Sequence, residues 1–226
     1  MPPQPCLALF DCDGTLVDGQ ANHCLAMEAA FRDNDLTPLP RMETRRVIGL
    51  SLLESMRILA PDAGDDTHRN LADGYKQAFH AMRLRGAIEE PLYDGIADLL
   101  AGLTSEGWQL GVATGKSDRG LNSCLEYHGI LPLFVTLQTA DRHPSKPHPA
   151  MVHQAMAKAG ASADRTIMIG DTSFDMEMGR AARCRTIGVT WGYHSEPELR
   201  RSGANIIAHD MAELRAALNE IGEEMR

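Results

Sequence analysis

The sequence predicts an α/β protein built on a doubly wound parallel sheet, with a helical segment inserted after the first strand. Three observations predict it. Short runs that are apolar on both faces recur along the chain, and each stops at a polar residue, as parallel strands buried between helix layers do. Helix-like periodicity alternates with those runs from Leu92 onward. Between the first run and Pro91 the alternation breaks, and only helical patterns occur.

Taken in order, the first strand is Leu7-Ala8-Leu9-Phe10, which stops at Asp11-Cys12-Asp13-Gly14-Thr15-Leu16. Helical patterns then cover 22–33, 41–47, 51–59 and 66–84, with Pro38, Pro40, Pro61 and Gly64-Asp65-Asp66 punctuating their turns. The run Gln109-Leu110-Gly111-Val112-Ala113 ends at Thr114-Gly115-Lys116, and Thr166-Ile167-Met168-Ile169-Gly170 ends at Asp171. Shorter strands are expected at 134–138, 185–189 and 205–208, and helices at 95–106, 117–128, 149–159, 174–183 and 211–221. The expected organisation is a Rossmann-like core from residues 1–16 and 92–226, carrying a helical domain of residues 17–91.

A chain of 226 residues with 43% hydrophobic composition can bury one substantial core and a small second module. Its 22 basic and 31 acidic residues give a charge of -9, so nothing draws it generally to nucleic acid or to an anionic membrane. An anionic ligand must be held by a local positive cluster or a metal. Cys6, Cys12, Cys24, Cys124 and Cys184 are odd in number and lack CxxC spacing, which predicts reduced thiols in a cytoplasmic protein. The segment Met1-Pro2-Pro3-Gln4-Pro5 has neither a basic stretch nor a long apolar run, and no apolar stretch reaches the ~18 residues of a membrane span. Neither secretion nor membrane insertion is expected, and monomer and homodimer both remain open.

The chemistry lies at the strand ends. Two carboxylates as close as Asp11 and Asp13 repel unless a cation or a shared proton sits between them. An ionised Asp held by Mg²⁺ can attack phosphorus while a protonated one hands its proton to the leaving oxygen. Read alone, DxDGT is also a capped turn. Asp171 and Asp175 offer hard oxygen ligands to the same ion, or, as the alternative, Asp171 or Thr172 caps the following helix while Asp175 favours its dipole. Thr114 and Gly115, at a strand end before a helix, can offer a hydroxyl and backbone N–H groups to phosphate. Lys146, between prolines in Pro144-Ser145-Lys146-Pro147-His148-Pro149, can screen phosphate from an attacking carboxylate, and Lys116 adds positive potential there. His23 reads as a helix-surface residue, His148 as a loop residue, His194 as a residue of the site rim, and Arg45 and Arg46 as a solvated face.

The segments Asp11-Cys12-Asp13-Gly14-Thr15-Leu16-Val17, Thr114-Gly115-Lys116, Lys146-Pro147-His148-Pro149 and Gly170-Asp171-Thr172-Ser173-Phe174-Asp175 resemble the four motifs of the haloacid dehalogenase-like hydrolase superfamily. The insert is similar to the helical cap of its phosphoglycolate phosphatase-like and β-phosphoglucomutase-like branch. The resemblance implies Asp11 as nucleophile, Asp13 as general acid and then base, and Thr114, Gly115, Lys116 and Lys146 holding the phosphoryl group. It implies Mg²⁺ bound by Asp11, Asp171 and the main-chain oxygen of Asp13, with Asp175 supporting from behind. The dehalogenating members lack an acid two residues past the nucleophile, so Asp13 argues for phosphoryl chemistry on a small phosphorylated metabolite. A phosphomutase and a catalytically silent module of the same fold are the alternatives. His23 also resembles a histidine of the mutase-like relatives.

Overall fold

The computed structural model describes residues 5–225; the expectation about the N-terminal leader falls mostly on residues 1–4, outside that range. Six strands form one parallel sheet: β1 (Leu7–Phe10), β2 (Gln109–Thr114), β3 (Phe134–Thr139), β4 (Thr166–Gly170), β5 (Arg185–Val189) and β6 (Ile206–Ala208), in the order β3-β2-β1-β4-β5-β6. β1 lies at the centre, with Phe10 opposite Val112 on one side and Ile169 on the other. The order reverses there, and the crevice beyond the carboxyl ends of β1 and β4 is where an open α/β sheet binds its ligand.

Alternate residues of each strand enter opposite layers. Ala8, Phe10, Val112, Ile167 and Ile169 pack with α5 (Ile96–Ser105), α6 (Asp118–Tyr127) and α10 (Met211–Glu224), through Leu100, Leu121 and Leu218 among others. Leu7, Leu9, Ala113 and Met168 pack on the other face with α7 (Ala150–Ala159) and α8 (Ser173–Ala181) through Met151, Val152 and Met178. Such side chains contribute about 1.5–3 kcal/mol each on full burial, which holds both layers against the sheet.

Between β1 and α5 the chain forms α1 (Gln20–Asp33), α2 (Arg41–Val47), α3 (Leu52–Leu59) and α4 (Asp65–Leu84). They share a core of their own, in which Met27, Phe31, Met56 and Leu71 are central. α4 can lie close on α1 because Gly74 faces Ala30, where a Cβ would already stand 3.4 Å from the Ala30 Cα. The chain leaves the sheet and returns to it side by side. Asp18 N donates to Pro91 O at 2.9 Å, Tyr93 N to Leu16 O at 3.0 Å, and Val17 bridges Leu92.

One α-helix escaped the sequence reading, α9 (Glu196–Ser202). It buries only Leu199, so it has no apolar period, and it is set by a capping box between Ser195 and Glu198 with Pro197 in its first turn. Among the described residues no helix is long and apolar enough to cross a membrane.

Candidate active site

Past Phe10 the chain cannot continue as strand. Leu16 N and Val17 N both donate to Cys12 O, at 2.9 and 3.0 Å, and Gly14 takes a left-handed φ of 85° to close the turn. The turn presses Gly14 against Asp171, so closely that a Cβ there would collide with the carboxylate; Gly192 meets it from the other side with the same lack of room. Asp171 is thereby fixed at the end of β4, accepting Thr15 Oγ1 at 2.8 Å on Oδ1 and Tyr193 N at 2.9 Å on Oδ2.

Asp11, Asp171 and Asp175 converge, all fully buried, with one oxygen of each within 4.8 Å of the others. Lys146 Nζ lies 2.9 Å from Asp11 Oδ1 and 2.6 Å from Asp175 Oδ1, and its side chain has no exposed surface. Asp175 also accepts Thr172 N at 3.1 Å and Thr172 Oγ1 at 2.6 Å, completing a capping box at the start of α8. The sequence alternative of a helix cap therefore holds for Thr172 and Asp175, while Asp171 stands outside the cap.

Burial drives the Asp11 carboxyl up to about 7 although the Lys146 ammonium opposes it. Asp171 is pushed well above the carboxylate range by burial and by the charges of Asp11 and Asp175. Lys146, which burial alone would lower, is raised by Asp11 and Asp175. One ammonium thus pairs with two of the three buried carboxyl groups, Asp11 and Asp175, and leaves Asp171 without a cationic partner among the described residues. Asp11 Oδ2 has no hydrogen-bond partner among the described residues. A buried orphan oxygen beside two further carboxylates is a hard-donor set that fits a divalent cation.

The Asp13 side chain belongs to a different group. Lys116 Nζ lies 2.9 Å from Asp13 Oδ1 and 2.6 Å from Glu90 Oε1, and His23 Nε2 lies 3.1 Å from the same Asp13 oxygen. Burial would raise Asp13, yet Lys116 and His23 together hold it well below the usual carboxylate range. The reading of His23 as a surface residue is corrected: α1 turns its ring inward, where Nδ1 lies 2.5 Å from Tyr75 Oη. Lys116, expected at the phosphate, has its ammonium engaged by Asp13 and Glu90. Glu90 was missed altogether. Its only signal was its place beside Pro91 at the second crossing between sheet and insert.

Thr114 is buried at the end of β2, its Oγ1 accepting Lys116 N at 3.2 Å. Above it the loop between α2 and α3 reaches down to the sheet. Ser51 N donates to Ser145 Oγ at 2.8 Å, and a Cβ on Gly49 (φ 105°) would lie 3.8 Å from Asp11 Oδ2. His194, expected at the rim, bridges core and insert, with Nδ1 accepting Ser173 N at 3.0 Å and Nε2 3.2 Å from Arg46 O. Arg45 and Arg46 are exposed, Arg46 pairing with Glu198 at 2.9 Å, and His148 is an exposed loop residue. Beside Asp13 a cavity of about 770 Å³ opens between insert and sheet.

Residues 8–189 match the family described as haloacid dehalogenase-like hydrolase. The chain belongs to that family. Along nearly its whole length it is similar to hydrolases of this kind. It is 34% identical to the probable phosphatase IndB of Dickeya dadantii over 95% of this chain and 94% of that protein. It is 29% identical to a phosphoglycolate phosphatase of Vibrio parahaemolyticus over 92% of this chain and 93% of that protein. A predicted phosphatase from Clostridium acetobutylicum superposes with a TM-score of 0.87 at 27% identity, covering 96% of this chain and 99% of that one. The six-stranded parallel sheet is therefore the Rossmann-like fold of the haloacid dehalogenase-like hydrolases.

Proposed function

We propose that the chain is a Mg²⁺-dependent phosphatase that hydrolyses a small phosphorylated metabolite by way of an aspartyl-phosphate on Asp11. The observation that carries the reading is the buried trio of Asp11, Asp171 and Asp175 around one lysine, with Asp11 Oδ2 unpartnered and opening toward the Gly49 loop. Asp11, Asp171 and the main-chain oxygen of Asp13 are the proposed ligands, with Asp175 holding Lys146 in place. When bound, the cation neutralises charge on the phosphate and on the carboxylates, which brings Asp11 to its ionised, nucleophilic form at neutral pH.

Asp11 attacks phosphorus, and the bond to the alcohol oxygen breaks as Asp13 delivers its proton to that oxygen. Asp13 is ionised in the arrangement described, the state of a base; the charge of an entering phosphate opposes that ionisation and favours the proton-bearing state the first step uses. In the second step Asp13 takes a proton from water, which attacks the aspartyl-phosphate and releases inorganic phosphate. Thr114 and the N–H groups after it hold the phosphoryl oxygens, and Lys146 balances their charge. The cap loop at Gly49 and Ser51 excludes bulk water while this happens.

Release of phosphate from acetyl phosphate with Mg²⁺ tests the reading. The expected result is turnover that chelation and Asp11→Asn both abolish; equal rates for wild type and Asp11→Asn overturn it.

A further inference from the structure

The space beside Asp13, where the alcohol of the substrate leaves, is far larger than phosphate transfer requires. At about 770 Å³ it could hold roughly 25 waters at about 30 Å³ each. A two-carbon acid such as glycolate would displace only a few of them. One wall of the cavity belongs to the insert, with Tyr75 and Phe79 of α4, Val47 at the end of α2, Leu53 of α3 and Leu50 of the loop between them. Its lower wall is core backbone at Gly115 and Gly120, with Ser117 and the 140–145 loop at the edge.

The aromatic part of the wall is ordered. The Tyr75 and Phe79 rings stack at 5.7 Å between centroids and 29° between planes, and His23 stacks on Tyr75 at 6.2 Å and 19°. His23 also touches Asp13, so the stack begins at the group proposed to protonate the leaving oxygen. Water against such a wall finds few hydrogen-bond partners, and an apolar ring that replaces it gains affinity. Around the rings the lining is polar and largely basic, with Lys76, His80, Arg83, Lys116 and Arg119 present, so the aromatic stack is an apolar surface beside Asp13 against which a flat ring can lie.

We propose that the substrate is a phosphate monoester whose alcohol carries a planar aromatic ring, and that the ring lies against Tyr75 and Phe79 with the ester oxygen facing Asp13. This rests on the phosphatase reading above and narrows its substrate class. The reaction is monoester plus water giving the aromatic alcohol and inorganic phosphate. The ring can be joined to the ester carbon directly, as in pyridoxal 5′-phosphate, or through a sugar, as in uridine 5′-monophosphate.

Phosphate release is measured for these two esters, for phosphoglycolate, and for acetyl phosphate as a reference with no body to bind. The expected kcat/KM of at least one aromatic ester exceeds that of phosphoglycolate about tenfold or more, and which of the two wins tells how the ring is attached. Phe79→Ala lowers the ratio of aromatic ester to phosphoglycolate roughly tenfold to a hundredfold, and Phe79→Trp restores it. Phe79→Leu keeps the bulk without the ring and gives the same loss should the alanine variant fold poorly. Phosphoglycolate turning over as well as both aromatic esters, or a ratio unmoved by Phe79→Ala and Phe79→Leu, overturns the inference while acetyl phosphate turnover leaves the phosphatase reading intact. Absence of any Asp11-dependent turnover, acetyl phosphate included, overturns both.

Discussion

Gly115→Ala tests the contact between the inserted helices and the end of β2 separately from the rest of the site. Gly115 follows Thr114 at the end of β2, and its backbone is not in the left-handed region, so alanine adds no backbone strain. What the added methyl meets is the insert. Its nearest neighbours are all backbone atoms of the loop between α2 and α3, namely Leu50 O, which it would overlap, then Gly49 O at 2.7 Å and Gly49 C at 2.9 Å. Ordinary contact begins at 3.4 Å, and backbone cannot swing aside as a side chain can. The loop must therefore retreat by roughly one ångström, and a displacement of that size at a reacting centre costs on the order of a hundredfold in rate. That is about 2.7 kcal/mol in the barrier, two decades at 1.36 each. The sheet itself is untouched, so the thermal midpoint should move by no more than a degree or two while kcat/KM falls. Steady-state phosphate release and differential scanning calorimetry on the same preparation read both quantities. Wild-type turnover in Gly115→Ala would refute the reasoning, because it would mean that contact between the Gly49–Leu50 backbone and the end of β2 is irrelevant to the chemistry.

Lys146→Met leaves the Asp11 and Asp175 carboxylates buried without their ammonium, and urea unfolding should show a loss of about 3–5 kcal/mol. Glu90→Gln removes one of the two carboxylates that hold Lys116; we expect kcat to fall about tenfold with KM little changed and the pH–rate profile displaced, since proton transfer through Asp13 is the step affected. In chelated protein, Asp11 keeps its proton up to about 7 when folded but only to 3.8 when unfolded, so the folded state binds more protons in that interval. Stability should accordingly fall as pH rises from about 4 to about 7, and the slope of the thermal midpoint against pH should flatten in Asp11→Asn; an unchanged slope would contradict the assignment.

The strands and the carboxylates at their ends could be read from the sequence because both signals are local. Leu7 to Phe10 and Ile167 to Ile169 are apolar on both faces, which only a central parallel strand requires, and an acid directly after such a run has to sit at the sheet's carboxyl edge. Lys146 could be placed because prolines kept it out of regular structure, though its complete burial could not. What stayed hidden depends on distant parts of the chain meeting. His23 resembled a surface residue because its neighbours make a good helix start; only the packing of α1 against α4 aims its ring at Asp13 and Tyr75. Glu90 and Lys116 are 26 positions apart and pair only when the second crossing passes over the end of β2. The α9 helix carried a readable cap signal in Ser195, Pro197 and Glu198 but too little apolar pattern to be recognised.

The paired crossings at Asp18–Pro91 and Leu16–Tyr93 give the molecule a modular seam. The insert departs and rejoins at adjacent backbone positions, so its ends are already spaced as the two ends of a tight loop would be. Exchanging the four helices for another bundle, or for a short turn, would leave every strand pairing of the sheet as it is. Evolution and the protein engineer can both change what enters this site without redesigning the machinery beneath it.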